Sequence, residues 1–335
     1  MIETITRERL VALLDAATGR RITVIGDAML DVYLRGDVER ISPEAPVPVV
    51  RVTERKLALG GAANVAQNIT AIGARCEMVC TTGDDAPGVL VRQMLHDVGA
   101  ETRSIVRVAR PTTTKTRVLA RSQQLVRYDE EDDADMDGAD LESLLAAALS
   151  AVEEADAVVM EDYNKGLLIP NIISPVIGRS RKRRIPVVVD PKYRNFFAYQ
   201  GATIFKPNRR ELESALGAEV DLDHPQALPE TLERLGVEHL LLTLGETGMA
   251  LVSADGEVGR IPTTAREVYD VVGAGDTVTA YLATMMAAGG TPAEAAVIAN
   301  FAAGVEVGKL GAATVSPQEV IDAFDQFSET ATSGR

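Results

Sequence analysis

The sequence predicts an α/β fold of three layers, with helices on both faces of a mostly parallel central sheet and a small β-sheet lid. Short apolar runs at residues 22–26, 157–160 and 185–189 have the length and composition of buried strands. Segments with a helical spacing of apolar residues alternate with these runs, as in a parallel sheet. Two segments, about 35–55 and 105–127, are rich in strand-forming residues and fall outside the alternation, so we expect them to form the lid.

The length and composition indicate one large domain. The chain has 335 residues, of which 46% are hydrophobic, and this is enough for a sizeable core. Aromatic residues make up only 4% and Trp is absent, so aliphatic side chains must fill that core. We expect residues 1–330 to form a single domain and residues 331–335 to form a disordered tail.

The net charge argues against one class of partner, and the N-terminal segment and the cysteines indicate the compartment. A net charge of −15 argues against nucleic acid as a partner, because phosphate backbones require a basic surface. The N-terminal segment lacks the apolar region of a signal peptide and no run of about 18 apolar residues follows, so no membrane partner is expected. Cys76 and Cys80 have no histidine nearby, which favours buried free thiols over a zinc site. These features predict a cytoplasmic protein.

Two acidic residues follow the first predicted strand. Asp27 and Asp31 lie in G-D-A-M-L-D, and ligands of parallel sheets bind beyond the carboxyl ends of the strands. Short acidic side chains there can accept hydrogen bonds from sugar hydroxyl groups. Turn formation and helix capping explain the same residues equally well. The prolines in residues 42–50 then exclude a helix and suit the edge strands of the lid.

A glycine pair opens the next predicted helix. Gly60 and Gly61 precede A-A-N-V-A-Q-N-I, which places Asn64 one turn into the helix. Glycines let the backbone approach a ligand closely, and the side-chain amide of Asn64 is then available to the same ligand. A glycine break followed by a polar helix residue is the alternative explanation.

Two further elements suit a phosphate-bearing ligand. In K-P-N-R-R-E, Asn208 and Glu211 share one face near a helix start, where Glu211 can hold a magnesium-bound water or act as a capping-box acid. In T-L-G-E-T-G, the residues Thr243, Gly245 and Gly248 form a turn that can contact phosphate groups. A plain hairpin is equally compatible with that turn.

The most specific motif is D-V-V-G-A-G-D-T, which begins at Asp270 and ends a β-rich stretch before a predicted helix. Gly273, Ala274 and Gly275 should present backbone N–H groups at the helix N-terminus, a geometry that binds anions. Asp276 follows directly and is suited to accept a proton from the group that attacks phosphorus. The helix N-terminus is expected to stabilise the Asp276 carboxylate and so to lower its pKa. The alternative is a glycine-rich turn with an acidic first-turn residue.

These motifs, in this order and spacing, resemble the ribokinase-like (PfkB) carbohydrate kinases over nearly the full length of the chain. G-G-x-x-N and D-V-V-G-A-G-D-T correspond to the two signatures of that family. The second signature departs from the family pattern at Val271 and Val272, where many members have Thr. The resemblance implies a ribokinase-like fold, ATP and Mg²⁺ as cofactors, and a sugar as the acceptor of a phosphoryl group.

The resemblance also implies a role for each matched residue. The catalytic group comprises Asp276 as base, with Gly273, Ala274 and Gly275 as the anion hole. The nucleotide and magnesium group comprises Asn208, Glu211, Thr243, Gly245 and Gly248. The sugar contacts comprise Asp31, Gly60, Gly61 and Asn64, with Asp27 nearby. Asp270 would help to hold the monovalent cation, for which K⁺ is the candidate, that some members bind beside the anion hole.

Further segments resemble one subfamily, the heptose kinases of bacterial ADP-heptose synthesis. They include R-I-S-P-E-A-P-V-P-V-V, T-K-T-R-V-L-A-R-S-Q-Q-L-V-R and V-G-K-L-G-A-A-T-V-S-P. This likeness implies phosphoryl transfer to O1 of D-glycero-β-D-manno-heptose 7-phosphate, giving the 1,7-bisphosphate for lipopolysaccharide core synthesis. The H-x-G-H motif of the associated adenylyltransferases does not occur, so a stand-alone kinase is expected.

A phosphorylated sugar needs cations, and the second lid segment offers them. Lys115, Arg117, Arg121 and Arg127 share one face if the strand is continuous, whereas a turn at residues 122–124 would break the pattern. Arg117 is the leading candidate, and Lys192 in D-P-K is another. Solvated edge-strand charge and a loop lysine are the alternatives.

Two rival functions and an assembly state complete the expectations. The chain could instead phosphorylate another acceptor, such as ribose, a fructose phosphate or a nucleoside, or it could be a non-catalytic sugar-binding regulator. A neutral acceptor would leave the lid cations without a partner. The exposed edges and apolar face of a small lid predict a homodimer joined through the lids.

Overall fold

The strands and helices follow the alternation that the sequence predicts. The computed structural model describes residues 5–121, 123–222, 228–253, 256–265 and 267–333. The strands are β1 (Arg21–Gly26), β2 (Ala28–Ile41), β3 (Pro48–Gly61), β4 (Arg75–Val79), β5 (Thr81–Gly83), β6 (Val106–Val108), β7 (Thr114–Ala120), β8 (Gln123–Glu130), β9 (Ala157–Glu161), β10 (Val187–Asp190), β11 (Ile204–Phe205), β12 (His239–Thr243), β13 (Met249–Ser253) and β14 (Val258–Ile261). The helices are α1 (Arg7–Ala17), α2 (Ala62–Ala71), α3 (Ala86–Asp97), α4 (Gly138–Glu154), α5 (Pro170–Arg183), α6 (Arg209–Leu216), α7 (Leu228–Leu235), α8 (Ala274–Ala287), α9 (Pro292–Glu306) and α10 (Pro317–Ser333).

The central sheet has, within the described residues, the strand order β14-β13-β12-β11-β10-β9-β1-β4. The strands from β12 to β4 run parallel, and β13 and β14 add an antiparallel edge. Every residue of β9 and β10 is buried, as expected for parallel strands covered on both faces, and this explains their unbroken apolar runs. The predicted mostly parallel sheet is therefore confirmed.

Helix α8 lies in the interior and packs on the central strands of the sheet. It contacts α2 and α9 on its sides and packs on β9 and β10, while α4 and α5 form a separate packed pair. On the α4 side, the Thr23 hydroxyl of β1 donates to the Ala151 carbonyl. All residues of α8 from Asp276 to Met285 are buried, so its sequence is apolar on more than one face. This packing fixes the N-terminus of α8 against the strand ends.

The lid is a second sheet with the strand order β3-β2-β7-β8 among the residues that the structure describes. Its first segment is longer than predicted, because β2 and β3 begin and end in the main body, at Ala28 and Gly61. The assignment of residues 106–108 to the lid is wrong, because β6 pairs with β5 in a separate small sheet. The chain turns at Arg121, which has a φ of 54°, and Ser122 of the predicted turn lies outside the described residues.

The C-terminal end differs from the expected tail. Helix α10 extends through Ser333, which is three residues into the segment for which the sequence predicts disorder. Residues 334 and 335 lie outside the described residues. Within the part that the structure describes, none of the helices has the length and hydropathy that a bilayer crossing requires.

Gly61 is the joint between lid and body, and it requires glycine for two reasons. Its φ is 58°, in the left-handed region, and a Cβ atom there would lie 2.4 Å from the Asp27 carbonyl oxygen. Gly138 has a similar φ of 54° but open space around a Cβ atom. Alanine substitutions at Gly61 and Gly138 therefore distinguish the cost of steric overlap from the cost of backbone strain.

We expect Gly138→Ala to lower the free energy of unfolding by about 1–2 kcal/mol, the strain of the left-handed conformation. Gly61→Ala should lower it by about 1–3 kcal/mol more, because overlap is added to strain. Urea denaturation of both variants beside wild type measures the difference. Equal losses would show that the close approach at Gly61 is relieved without cost.

Candidate active site

The carboxyl ends of the central strands meet beside the N-terminus of α8. Asp27 follows β1, Glu161 ends β9 and Asp190 ends β10. Gly275 in the first turn of α8 is so near that a Cβ atom on it would lie 3.9 Å from the Asp190 carboxylate. Ligands of open α/β sheets bind at this edge, so the predicted motifs converge where a site is expected.

Asp276 is buried at this edge and is held by two neutral donors. The Asn64 side-chain amide of α2 donates to one carboxylate oxygen at 2.7 Å, and the Tyr163 hydroxyl donates to the other at 2.9 Å. Asn68 supports Asn64 by donating to its backbone carbonyl at 3.0 Å. Both oxygens of Asp276 are thus fixed in direction while the group remains an acceptor.

The pKa of Asp276 moves in the opposite direction to the one that the sequence suggests. The net effect raises it from 3.8 to about 6: burial raises the pKa most and the nearby Asp190 carboxylate adds to this, against the lowering effect of the Asn64 and Tyr163 hydrogen bonds and of Lys206. The expected lowering by the helix N-terminus is therefore wrong, because desolvation of the carboxylate outweighs it. Asp276 is therefore a stronger base than an ordinary aspartate, and it is still mostly ionised at neutral pH.

A cleft of about 540 Å³ adjoins Asp276 and brings together most of the predicted nucleotide residues. Its walls include Asn208, Thr243, Gly245, Gly248, Ala274 and Gly275. Apolar side chains, among them Val278, Ala303 and Val307, line part of the remainder, which suits the flat base of a nucleotide. Gly273 is the N-cap of α8 with a φ of 99°, and the helix starts at Ala274 as predicted.

Glu211 adopts the capping-box geometry that was the alternative to a magnesium role. Its backbone N–H donates to the Asn208 side chain and its carboxylate accepts from the Asn208 backbone N–H, each at 2.8 Å. The other Glu211 oxygen accepts from Lys192 Nζ at 2.7 Å. Lys192 also lies over the Tyr163 ring, 5.3 Å from its centroid. Lys192, predicted to contact the sugar, therefore links the nucleotide side to Tyr163.

The predicted sugar residues lie at the root of the lid. Asp31 on β2 accepts from Arg117 on β7 at 2.5 Å, and the Arg117 guanidinium packs over the Tyr33 ring. A Cβ atom on Gly60 would lie 2.5 Å from the Asp31 carboxylate, so glycine is needed for this approach. Asp31 and Arg117 are thus each other's partners.

Asp27 and Asp270 organise loops. One oxygen of Asp27 accepts from the backbone N–H groups of Tyr163 and Lys165, at 2.8 and 3.1 Å. Asp270 accepts from the backbone N–H of Val272 and of Gly311, both at 3.1 Å. These contacts match the turn-forming alternative for Asp27, and the sugar and cation roles of the two residues stay predictions.

Four residues of the site were missed as site residues, although two of them lie in the segments D-P-K and K-P-N-R-R-E. They are Glu161, Tyr163, Asp190 and Lys206. Lys206 is buried and donates to Asp190 at 2.7 Å. Their position along the chain could have identified three of them, because ligands bind at the carboxyl ends of parallel strands. Glu161 and Asp190 end buried strands, and Lys206 follows the next strand. Tyr163 gave no signal, since its hydroxyl reaches Asp276 only through the fold.

The chain is similar in sequence to known proteins. The profile of the pfkB family of carbohydrate kinases matches residues 20–319. The chain is 44% identical to "Bifunctional protein HldE" of Rhodospirillum rubrum over 309 residues, which is 91% of this chain and 62% of that protein. It is also 44% identical to HldE of Geobacter sulfurreducens over 94% of this chain and 65% of that protein. The chain therefore spans less than two thirds of the length of these relatives.

Solved structures show the same fold at low sequence identity. Ribokinase of Arabidopsis thaliana complexed with ribose and ATP superposes with a TM-score of 0.71 at 22% identity, covering 91% of this chain and 98% of that one. Phosphofructokinase-2 of Escherichia coli in complex with potassium gives 0.75 at 18% identity, covering 93% and 100%. A putative ribokinase of Agrobacterium tumefaciens gives 0.74 at 21% identity, covering 93% and 99%. The predicted ribokinase-like fold is confirmed.

We expect Tyr163→Phe to lower the turnover of ATP about tenfold, because Asp276 loses a donor to a charged group while the ring over Lys192 is kept. Tyr199→Phe is the matched control, since Tyr199 also donates its hydroxyl to a buried aspartate, Asp162, at 2.8 Å. Steady-state ADP release measures both. Equal effects of the two variants would contradict a specific role for the Tyr163 hydroxyl.

Proposed function

The chain belongs to the pfkB family of carbohydrate kinases, and on that premise we propose that this ATP-dependent sugar kinase phosphorylates O1 of D-glycero-β-D-manno-heptose 7-phosphate. The product would be the 1,7-bisphosphate, a precursor of ADP-heptose. One observation carries the catalytic part of the proposal: a buried aspartate, held by two neutral donors, directly follows two residues that line a nucleotide-sized cleft.

The proposed reaction follows from the arrangement. ATP lies in the cleft with its terminal phosphate at Gly273, Ala274 and Gly275, where helix N–H groups stabilise the anion. Asp276 takes the proton of the sugar hydroxyl as its oxygen bonds to phosphorus and the bond to ADP breaks. Asn64 and Tyr163 keep the carboxylate directed at that hydroxyl. Thr243, Gly245 and Gly248 support the nucleotide.

Magnesium is typical of this family and would arrive with ATP. The donors near the phosphates fit it in kind, because they are carboxylate oxygens and a side-chain amide. Asn208 lines the cleft, and Glu211 lies one helical turn further on. When bound, the ion neutralises phosphate charge. We further propose K⁺ near Asp270, the ion named with the phosphofructokinase-2 relative.

The acceptor is proposed from the lid and from the motifs that resemble heptose kinases. Asp31, Tyr33, Lys115, Arg117 and Arg127 lie on one lid face, since each strand alternates and the pairs Asp31–Lys115 and Arg117–Arg127 are in register. The neighbouring Asp31–Arg117 ion pair can open to bind a hydroxyl and a phosphate. This charged face favours a phosphorylated acceptor over ribose or a nucleoside.

The opposite lid face supports the proposed homodimer. By the same register Val38, Val52, Val126 and Tyr128 lie on that face, and all four are exposed. A contiguous exposed apolar patch of this kind marks an interaction surface. We propose that a second copy of this chain covers it.

We also propose a cytoplasmic location for the protein and kinase activity that does not need the second activity of its bifunctional relatives. Both cysteines are free and buried, and burial raises the pKa of each thiol, so they are unreactive core groups. With ATP as co-substrate, this favours the cytoplasm. That the chain acts without the second activity of its bifunctional relatives stays a prediction.

We expect ADP release with Mg-ATP to require heptose 7-phosphate and to fall on the order of 10²–10⁴-fold in Asp276→Asn. ATP binding by calorimetry should persist in the variant, because the cleft walls are unchanged. Full activity in Asp276→Asn would contradict its role as base. Equal turnover with ribose would favour another acceptor, and sugar binding without ADP release would favour a regulator.

We expect the double variant Val126→Lys and Tyr128→Lys to convert a dimer into a monomer, because charges would enter the proposed interface. Val126 is 51% exposed. Val89 on α3 is 57% exposed, so Val89→Lys with Leu90→Lys is the matched control away from the lid. Light scattering after size-exclusion chromatography gives the mass of each. A dimer that survives in the lid variant would exclude this face.

A further inference from the structure

Two lysine side chains at the root of the lid share a single carboxylate. Lys165 donates to one oxygen of Glu131 at 2.7 Å, and the Lys115 ammonium lies 3.7 Å from the other oxygen. The Lys115 and Lys165 side chains are only 13% and 16% exposed, so water solvates their charges only in part. Burial, with the charge of Lys165 nearby, lowers the pKa of Lys115. Positive charge is therefore incompletely balanced at this point.

The other carboxylates beside Lys115 are already paired with arginines. Asp31 on β2 and Asp129 on β8 are the register partners of Lys115. Asp31 accepts from Arg117, and Asp129 accepts from Arg127 at 2.8 Å. Neither carboxylate is therefore free to balance Lys115 fully, and its charge depends on the carboxylate that it shares with Lys165.

The lysine pair is connected to the catalytic base by one short loop. The loop after β9 carries Tyr163, whose hydroxyl donates to Asp276, and Lys165 follows two residues later. The backbone N–H groups of Tyr163 and Lys165 both donate to Asp27, which fixes the loop against the end of β1. An acceptor that reaches from Asp276 to the root of the lid therefore passes along this loop.

Glu131 can move away without releasing the segment that carries it. The residues after it have their own contacts: Arg194 donates to the Asp133 carboxylate, and the Met136 N–H donates to the Gly166 carbonyl, each at 2.9 Å. The Glu131 side chain is 26% exposed, so it has a path into water. A stronger anion can therefore replace its carboxylate between the two ammonium groups.

We propose that Lys115 and Lys165 bind the phosphate group of the acceptor, and that Glu131 occupies this position until the acceptor displaces it. This inference rests on the proposed function, since it names the residues that recognise the phosphate of a sugar phosphate. A phosphate dianion carries more charge than one carboxylate and has three acceptor oxygens, so it can pair both ammonium groups. Arg117, two residues along β7 on the same face, can add a contact.

The Glu131 carboxylate would make this site selective. A neutral hydroxyl group competes poorly with a carboxylate for two ammonium groups, whereas a phosphate competes well. The alternative is that Glu131 only anchors the acidic segment to the loop after β9. The two explanations differ in whether loss of a lysine affects one acceptor or all acceptors.

The test compares heptose 7-phosphate with unphosphorylated heptose as acceptors, using the full chain and Mg-ATP. We expect Lys115→Met and Lys165→Met each to raise KM for heptose 7-phosphate about 10–100-fold, since each removes a charged hydrogen bond to the substrate. The preference for heptose 7-phosphate over heptose, taken as the ratio of kcat/KM, should fall by the same factor. Glu131→Gln should lower KM for heptose 7-phosphate, because the competing charge is lost.

Lys182→Met is the matched control. Lys182 is an exposed lysine in the last turn of α5, so its loss changes the net charge equally but away from the lid. It should keep the wild-type preference. Melting temperatures establish that each variant is folded. Lys115→Met retains the bond between Lys165 and Glu131, so it decides the question if Lys165→Met fails to fold.

Two results would overturn the proposal. An unchanged preference in both lysine variants would put the phosphate elsewhere, and an equal loss of kcat/KM for both acceptors would make the pair an anchor of the acidic segment. Either result would leave ADP release from heptose 7-phosphate in the wild type intact, and so the proposed reaction would stand.

A calorimetric titration covers the case in which the proposed reaction fails. The protein is saturated with a non-hydrolysable ATP analogue, which fills the anion hole, and is titrated with heptose 7-phosphate. Binding that the lysine variants weaken, without ADP release, would contradict the reaction and support the site. If the wild type binds no heptose 7-phosphate, inorganic phosphate is the probe, and equal affinity in wild type and both lysine variants would overturn the site.

Discussion

The hydrogen bond from Asn64 to Asp276 ties together the parts on which the site depends. Asn64 lies on α2, directly after the lid strand β3, whereas Asp276 lies in the first turn of α8 beside the cleft. The bond therefore connects the root of the lid to the cleft through the protein interior. Because the donor is neutral, it orients the carboxylate while costing it less basicity than an ammonium or guanidinium partner would.

The surrounding charges explain why that carboxylate can be both buried and basic. Burial alone would favour its protonated form, and Asp190 pushes in the same direction, whereas Lys206 pushes back. The balance leaves the pKa of Asp276 at about 6. A charged donor in place of Asn64 would lower that pKa and weaken the base. The neutral amide and hydroxyl donors thus help to keep the pKa of Asp276 above that of an ordinary aspartate.

Sequence reasoning predicted those features that local backbone geometry determines. The start of α8, the glycine joint at Gly61 and the capping pair Asn208–Glu211 all follow from turn and helix-end rules. The pKa of Asp276 did not follow, because desolvation depends on packing between α2, α8 and the sheet. Tyr163 was missed for the same reason. The lid limits were wrong because β2 runs without a break from body to lid, so no turn marks the boundary.

The continuous strand β2 contributes side chains to both faces of the lid, the charged face and the apolar face. Asp31 and Tyr33 point to the charged lid face at the site, whereas Val38 further along the same strand belongs to the apolar face. A partner that covers the apolar face would therefore restrain the strand that carries Asp31. Since Asp31 accepts from Arg117, restraint of β2 would also restrain this ion pair. Assembly and substrate binding would then share one structural element, without any residue common to both surfaces.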